Sequence, residues 1–430
     1  MTWVRVILAA FALTVPAGGS ALTLPVYSAA EFVDSVGVNT HFRHRGSAYD
    51  THFDLLRQKL RAANIRHIRD GAMDRDGEFF ERDASDRFTA LGEDGIRVIY
   101  IFRPLVPRGF VQGWPERVKP SFAAYEMPNE LNQRKDLPWA EALRVWAPLF
   151  HDYVRTARPR TNYPIVGPSI ADVGGNPHAQ LGDLSAYLDY GNLHKYYRAH
   201  HPATKGYGNP GAPPCDAFRY GSLEYSLCQV RRVSRDKPIW CTEAGYATEG
   251  VRERSVPPEI QARYLTRMLL LHFKAGIPRT YVYQLADHGK DAGGSMGLLD
   301  AQGREKPAYR AISALLSELA DEREPPGGSP RFELKDAPEN LEGAAFAKSD
   351  GSFRVVLWLE QSSYDVKAAR VTDAKAREAA LELPPGWRSR RLLNPTPDGR
   401  LDAQRLEHAG TVPLTLTDQP LVLDVARVSP

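Results

Sequence analysis

Tyr125-Glu126-Met127-Pro128-Asn129-Glu130-Leu131-Asn132 is the stretch from which the chain can be read. Residues 123–127 have strand character, and a polar loop follows them. Glu130 then stands at the exit of a buried strand, where a carboxyl can serve as a general acid. Such a group works with a second carboxyl facing it. The candidate is Glu243, in Pro238-Ile239-Trp240-Cys241-Thr242-Glu243-Ala244-Gly245.

Outward from these two stretches the chain alternates. Strand-like runs occupy residues 35–42, 65–70, 96–102, 123–127, 164–170, 190–197, 238–243 and 280–285. Between them the apolar period becomes helical. Leu55, Leu56, Leu60 and Ala63 mark one helix, and Phe79, Phe80, Phe88 and Leu91 another. Further helices are expected over 139–155, 179–188, 223–233, 259–275 and 306–319, while 104–120, with Trp114, reads as a loop. Strands alternating with helices predict a parallel sheet, and eight units predict closure into a (β/α)8 barrel within an α/β fold. An open doubly wound sheet is the alternative, but no glycine-rich first turn supports it. In a barrel the chemistry lies at the C-terminal ends of the strands, where Asn129-Glu130 and Glu243 both fall.

Glu324-Pro325-Pro326-Gly327-Gly328-Ser329-Pro330 reads as a linker. It separates a catalytic barrel over 22–323 from residues 331–430, whose short strands suggest a small β-sandwich. The strand-like residues 22–27 could pair with that sandwich. Residues 1–21 read as a signal peptide: Arg5 is basic, 6–15 are apolar, and Gly19-Ser20-Ala21 suits cleavage. The expected location is secreted or periplasmic, with no membrane span in the mature protein.

Composition narrows the function. Lys and Arg number 55 against 52 Asp and Glu, a net charge of +3, too balanced for a nucleic-acid binder. Hydrophobic residues make up 43% of the 430 residues, as in folded proteins. Neither a Walker-type loop nor a G-x-G-x-x-G turn is present, so no nucleotide cofactor is indicated. Of the three cysteines, Cys215 and Cys228 could close a small disulfide loop, fitting export. Cys241, read as sharing a strand face with Glu243, looks like a small buried apolar residue. His178, His194, His200 and His201 lie close in sequence, but no H-E-x-x-H or paired C-x-x-C occurs, and neither a metal nor a cofactor is expected.

The two stretches resemble those of the clan A retaining glycoside hydrolases, with family 39 and related bacterial exopolysaccharide hydrolases the nearest in look. Glu126 to Asn132 looks like the clan's E-x-x-N-E-P-N, with Leu131 in place of proline. Thr242-Glu243-Ala244-Gly245 looks like its T/S-E-x-G. Gly297-Leu298 and Lys306-Pro307-Ala308-Tyr309 extend the likeness after strand eight. The resemblance implies a barrel enzyme that hydrolyses O-glycosidic bonds of a poly- or oligosaccharide by double displacement, Glu130 as acid/base and Glu243 as nucleophile. It also implies Arg69 beside Glu243, a His or Tyr on strand six (His194 or Tyr196), and Tyr283 where a tryptophan is usual, with Tyr283-Gln284 a candidate cis peptide.

Physical chemistry supplies the remaining expectations. The two carboxyls of a retaining pair stand about 5–5.5 Å apart. Asn129 could bond a sugar 2-hydroxyl. Tyr196, not Tyr197, shares the face of His194 if strand six is regular. Trp114, Asn39 and His41 are further candidates to meet the sugar. The carbohydrate, an exopolysaccharide among the options, is the only partner indicated; oligomeric state is not legible. Two other readings compete: a non-catalytic carbohydrate-binding barrel, and a different barrel enzyme. The latter would be a transglycosylase using the same pair or a metal-dependent hydrolase.

Overall fold

Eight short strands that are almost wholly buried carry the centre of the molecule, and parallel strands covered on both faces read as continuous apolar runs. The computed structural model describes residues 21–72, 82–158, 162–171, 176–289, 293–327, 330–372 and 374–428. The barrel strands are β1 (Val36–Asn39), β2 (His67–Gly71), β3 (Arg97–Ile101), β4 (Phe122–Glu126), β5 (Ile165–Val166), β6 (Gly191–Tyr196), β7 (Ile239–Gly245) and β8 (Thr280–Val282). Their order is β5-β4-β3-β2-β1-β8-β7-β6, every neighbour parallel. A parallel bridge from Val166 to Tyr190 joins the two ends and completes the ring.

A helix follows each strand: α1 (Phe53–Ala62), α2 (Arg82–Glu93), α3 (Arg108–Arg117), α4 (Trp139–Arg155), α5 (Pro177–Leu181), α6 (Leu223–Ser234), α7 (Pro258–Lys274) and α8 (Pro307–Leu319). Inside the ring, Ile99, Ala124, Val166, Trp240 and Tyr281 form an apolar plug. Gly37 makes room for it, since a Cβ there would strike the Tyr281 ring. Above the plug the inward side chains become polar, and there the candidate site begins.

The second unit is a β-sandwich. Its strands are β9 (Glu333–Lys335), β10 (Leu341–Ala347), β11 (Phe353–Leu359), β12 (Arg377–Glu382), β13 (Trp387–Pro395), β14 (Leu401–Arg405), β15 (Thr411–Leu416) and β16 (Leu421–Arg427). One sheet contains β9-β12-β15 and the other β14-β13-β16-β11-β10. Alternation sorts the faces of β10 and β11. Ala345, Val355 and Leu357 enter the core between the sheets, while Phe346, Val356 and Trp358 join the barrel's core. Phe346 packs on Phe32 and Phe273, with ring centroids 5.1 and 6.4 Å away. The buried Arg267 of α7 donates to the carbonyls of Leu359 and Gln361 across the same seam.

Several boundaries differ from those read in the sequence. Residues 22–28 belong to the sandwich rather than the barrel: Leu22–Thr23 pairs with β9 and Val26–Ser28 with β10. The strand-like residues 22–27, which could pair with the sandwich on their sequence, do so, and the barrel boundary at residue 22 gives way. The stretch 104–120 is not a loop. Its prolines mask α3, in which Val111, Trp114 and Pro115 turn a helical stripe inward. The helix expected over 179–188 is cut short by Gly182 at φ 78°, which a glycine adopts readily, and a 3₁₀ turn at Ser185–Tyr187 follows. β5 ends at Val166, before Gly167-Pro168. The expected signal segment, apart from Ala21, and the helical markers Phe79 and Phe80 lie outside the described residues. Among the described residues no helix is long and apolar enough to cross a membrane.

Candidate active site

Arg69, inward at the end of β2, organises the polar layer. It is 2% exposed, and its five N–H groups are all used. Nε and Nη2 hold the two oxygens of Glu126 at 2.7 Å each. Nη1 donates to Glu243 Oε1 at 2.6 Å and Asn39 Oδ1 at 2.9 Å, and Nη2 also reaches Asn129 Oδ1 at 2.6 Å. Burial works against the guanidinium charge, but Glu126 and Glu243 raise its pKa above the ordinary value. Asp70, next in sequence, points away to Thr40, the Phe42 amide and Arg43.

Glu243 faces inward because β7 is irregular. Its register shifts against both neighbours: Leu193 pairs with Cys241 but His194 with Glu243, and on the other side Thr280 pairs with Cys241 and Val282 with Ala244. One extra residue turns both Thr242 and Glu243 toward the interior, as bulges beside functional sites do. Cys241 therefore does not share Glu243's direction. It packs in the layer between barrel and helices, where burial pushes its thiol pKa up. Gly245 is required next: a Cβ there would collide with the Tyr283 carbonyl.

β6 is regular, so Asn192, His194 and Tyr196 all face the interior. Tyr196 donates to Glu243 Oε2 at 2.6 Å, and burial followed by the Glu243 charge raises its pKa. Tyr197 points outward and meets His272, as the period-two argument requires. His194 Nδ1 lies 2.7 Å from Glu130 Oε1 and 3.4 Å from Glu243 Oε2.

Glu130 sits in the left-handed region, φ 43°, at the start of the 3₁₀ turn Leu131–Gln133. Its amide donates to the carbonyl and the Oγ of Ser169. Leu131 opens the turn, a position where proline's missing N–H costs nothing, and its apolar side chain is 8% exposed. Asn132 then exchanges two hydrogen bonds with the backbone of Ala171. Burial pushes the Glu130 carboxyl up, but His194 in its protonated form, Arg69 and Gln133 hold it below the ordinary value.

Glu130, His194 and Glu243 bring one ligand atom each to within 4.8 Å of one another. Carboxyls this near suit a two-carboxyl centre. The same three groups are the only possible metal cluster among the described residues. The Arg69 guanidinium holds the other oxygen of Glu243, Oε1. Of the neighbouring histidines, His201 meets Glu360 of the sandwich at 3.0 Å, and His200 stacks on Tyr207.

The remaining candidates divide. Asn129 Oδ1 accepts from Arg69 and Ser169, which turns its amide nitrogen to the cleft. Tyr283 lines the cleft, and the peptide Tyr283-Gln284 is cis. His41 also lines it, stacked on His44, its pKa well below the ordinary value through burial and the nearby His44 and Arg43. Asn39 lines the cleft too, but both ends of its amide serve the protein: Arg69 on one, the Thr242 and Tyr281 carbonyls on the other. Trp114 is 1% exposed, packed on Phe110 and Tyr100 outside the ring, and offers no face to a ligand. Sequence reasoning gave no role to Glu126, Asn192 or Thr242. The signal was present, since Glu126 is in phase with the inward Ala124, and Asn192 with His194.

The cleft extends on both sides of Glu130. A cavity of about 520 Å³ reaches from Tyr283 to Arg134, and one of about 670 Å³ from Tyr196 to Tyr220 and Arg254. Glu130 and Gln133 border both.

This architecture occurs in known enzymes. The fold is that of glycoside hydrolase barrels. A family 39 glycoside hydrolase from Bacteroides cellulosilyticus superposes with a TM-score of 0.60 at 16% identity, over 92% of this chain and 82% of that one. An α-L-arabinofuranosidase from Thermotoga maritima gives 0.60 at 12% identity, over 95% and 100%. A family 51 α-L-arabinofuranosidase from Thermotoga petrophila gives 0.59 at 12%, over 96% and 98%. Comparison of the sequence with family models and with curated proteins gave no match.

Proposed function

We propose that the protein is an exported retaining glycoside hydrolase acting on a poly- or oligosaccharide. The observation that carries this reading is the pair Glu130 and Glu243, oxygens within 4.8 Å, at the ends of β4 and β7. Glu243, ionised beside Arg69 and Tyr196, attacks the anomeric carbon while Glu130 protonates the leaving oxygen. A glycosyl ester on Glu243 forms and the first sugar fragment departs. Glu130, now a carboxylate, takes a proton from water, whose oxygen displaces Glu243 and restores both carboxyls. The Asn129 amide nitrogen is placed to bond a hydroxyl of the reacting sugar, and Tyr283 and His41 border that ring's site. Cavities on both sides of Glu130 suit a substrate with sugars on both sides of the scissile bond.

Export is supported by the pattern of the first residues and by the Cys215–Cys228 disulfide, which fits an oxidising compartment. The test is a screen of bacterial and plant polysaccharides with product masses read by mass spectrometry. Wild type releases oligosaccharides, whereas Glu130→Gln and Glu243→Gln, still folded, release none. Full activity in either variant rejects the mechanism.

A further inference from the structure

We infer that Glu126, Asn192 and Thr242 are positioning residues that fix neutral His194 in its Nε2–H tautomer, so that it turns a lone pair toward Glu130. The inference deepens the proposed function and rests on it for its catalytic meaning, though not for its geometry.

The assignment follows from counting donors. Asn192 Nδ2 lies 2.9 Å from Glu126 Oε1 and 2.9 Å from the Gly167 carbonyl, and both partners only accept. That fixes the amide, leaving Oδ1 toward Thr242. Thr242 Oγ1 is 2.6 Å from Asn192 Oδ1, so the single hydroxyl proton lies between them. The 3.4 Å approach of the same hydroxyl to Glu126 Oε1 is the weaker claim on that proton. Its proton spent, Thr242 Oγ1 must accept from His194 Nε2 at 3.0 Å. Glu126 in turn is held by the Arg69 fork, which anchors the chain at its far end.

The other ring nitrogen then has no proton of its own when the ring is neutral. Nδ1 lies 2.7 Å from Glu130 Oε1, a distance that requires one proton between a lone pair and a carboxylate oxygen. Glu130 and His194 therefore share one proton, as carboxylic acid on imidazole or as carboxylate on imidazolium. The other ionisable or charged groups facing the pair are Glu243, 3.4 Å from Nδ1, Arg69 and Tyr196 around it, and Tyr283 beyond Tyr196. The shared proton leaves with the departing sugar oxygen in the first step. In the second, an unprotonated Glu130 faces a lone pair, and that repulsion favours taking a proton from the attacking water. The opposite tautomer would donate to Glu130 and hold it as a carboxylate, a poorer acid.

The test needs no substrate. Protein carrying ¹⁵N-histidine, with His194 assigned through His194→Gln, is observed by NMR where the ring is neutral. Wild type is expected to show a protonated Nε2 and an unprotonated Nδ1 for His194. Thr242→Val removes the hydroxyl at similar volume; it should populate the Nδ1–H tautomer and lower the Glu130 titration midpoint, followed by ¹³C-carboxyl NMR, by about a unit, which is tenfold. Thr242→Ser should behave as wild type. A neutral wild-type His194 protonated on Nδ1 overturns the inference, and so does a Thr242→Val protein with unchanged tautomer and midpoint. If Thr242→Val does not fold, the wild-type tautomer alone decides. A protein with the expected tautomer but no turnover on any glycan would count against the hydrolase reading and leave the wiring standing.

Discussion

Arg69 shows what one buried cation does when two carboxylates lean on it. Removing one partner of a buried ion pair leaves the rest uncompensated, at a cost of about 3–5 kcal/mol. Arg69→Leu should therefore lower the unfolding free energy by that order in a urea titration; a loss under about 1 kcal/mol would mean that Glu126 is paired elsewhere. Tyr196 can be removed more gently. A hydrogen bond to a charged group contributes about 1.5–3 kcal/mol to stability, so Tyr196→Phe should lower the unfolding free energy by about that much in a urea titration, and no loss would mean that Arg69 alone holds Glu243. Asp70 supplies a pH effect. Burial, against the pull of Arg43 and of Phe42, Thr40 and Gly71 donors, pushes its carboxyl from 3.8 to about 6. The folded state thus binds this proton more tightly than the unfolded chain. The associated stability is complete below about pH 4 and is lost as pH rises to about 6, on the order of 3 kcal/mol. Unfolding of wild type and Asp70→Asn at pH 4 and 7 checks it: the difference between them should shift toward the variant as pH rises, and a constant difference refutes it. At this scale the sequence placed Glu130, Glu243 and Arg69 together at strand ends, and the structure brings the three to one polar layer. The sequence did not disclose Glu126 as the buried counter-ion of Arg69, since a carboxylate that serves another residue leaves the same letter as one in solvent.

Elements set the aim of these side chains. The β7 bulge places Thr242 and Glu243 on the same side, which strict alternation forbids, and Gly245 lets the strand pass beneath the Tyr283 carbonyl. Gly245→Ala should displace Tyr283 and reduce turnover while far-ultraviolet circular dichroism stays that of wild type; unchanged kinetics would show the backbone yields there. The long loop after β6 is tied to α6 by Cys215–Cys228, with Cα atoms 5.8 Å apart and a separation of 13 in sequence. A loop of that length is worth about 3 kcal/mol, so Cys215→Ala with Cys228→Ala should lower the thermal midpoint measurably, and an unchanged midpoint would mean the loop is held by other contacts. The alternation of βα units was readable because parallel strands covered on both faces are apolar throughout. The bulge was not, because it arises from the pairing with β6 and β8 and adds no distinctive residue. Helix α3 was hidden by Pro107 and Pro115, whose local cost is outweighed by burying Val111 and Trp114.

At the scale of the whole molecule the barrel and sandwich share one surface. Phe346, Val356 and Trp358 pack into the barrel's core from sandwich strands, and residues 22–28 pair with both sandwich sheets before the chain enters the barrel. The linker composition marked where the second unit begins but could not reveal that the first strands return to it. The proposed active centre lies at the opposite level of construction, in the few ångströms between Glu130 and Glu243, and the central claim is that they act in two displacements. The direct measurement is the configuration of the first-formed sugar product, followed by proton NMR before mutarotation on a glycan that the protein cleaves. Retention of the anomeric configuration is predicted. Inversion would contradict the account, because it requires water, not Glu243, to attack the sugar.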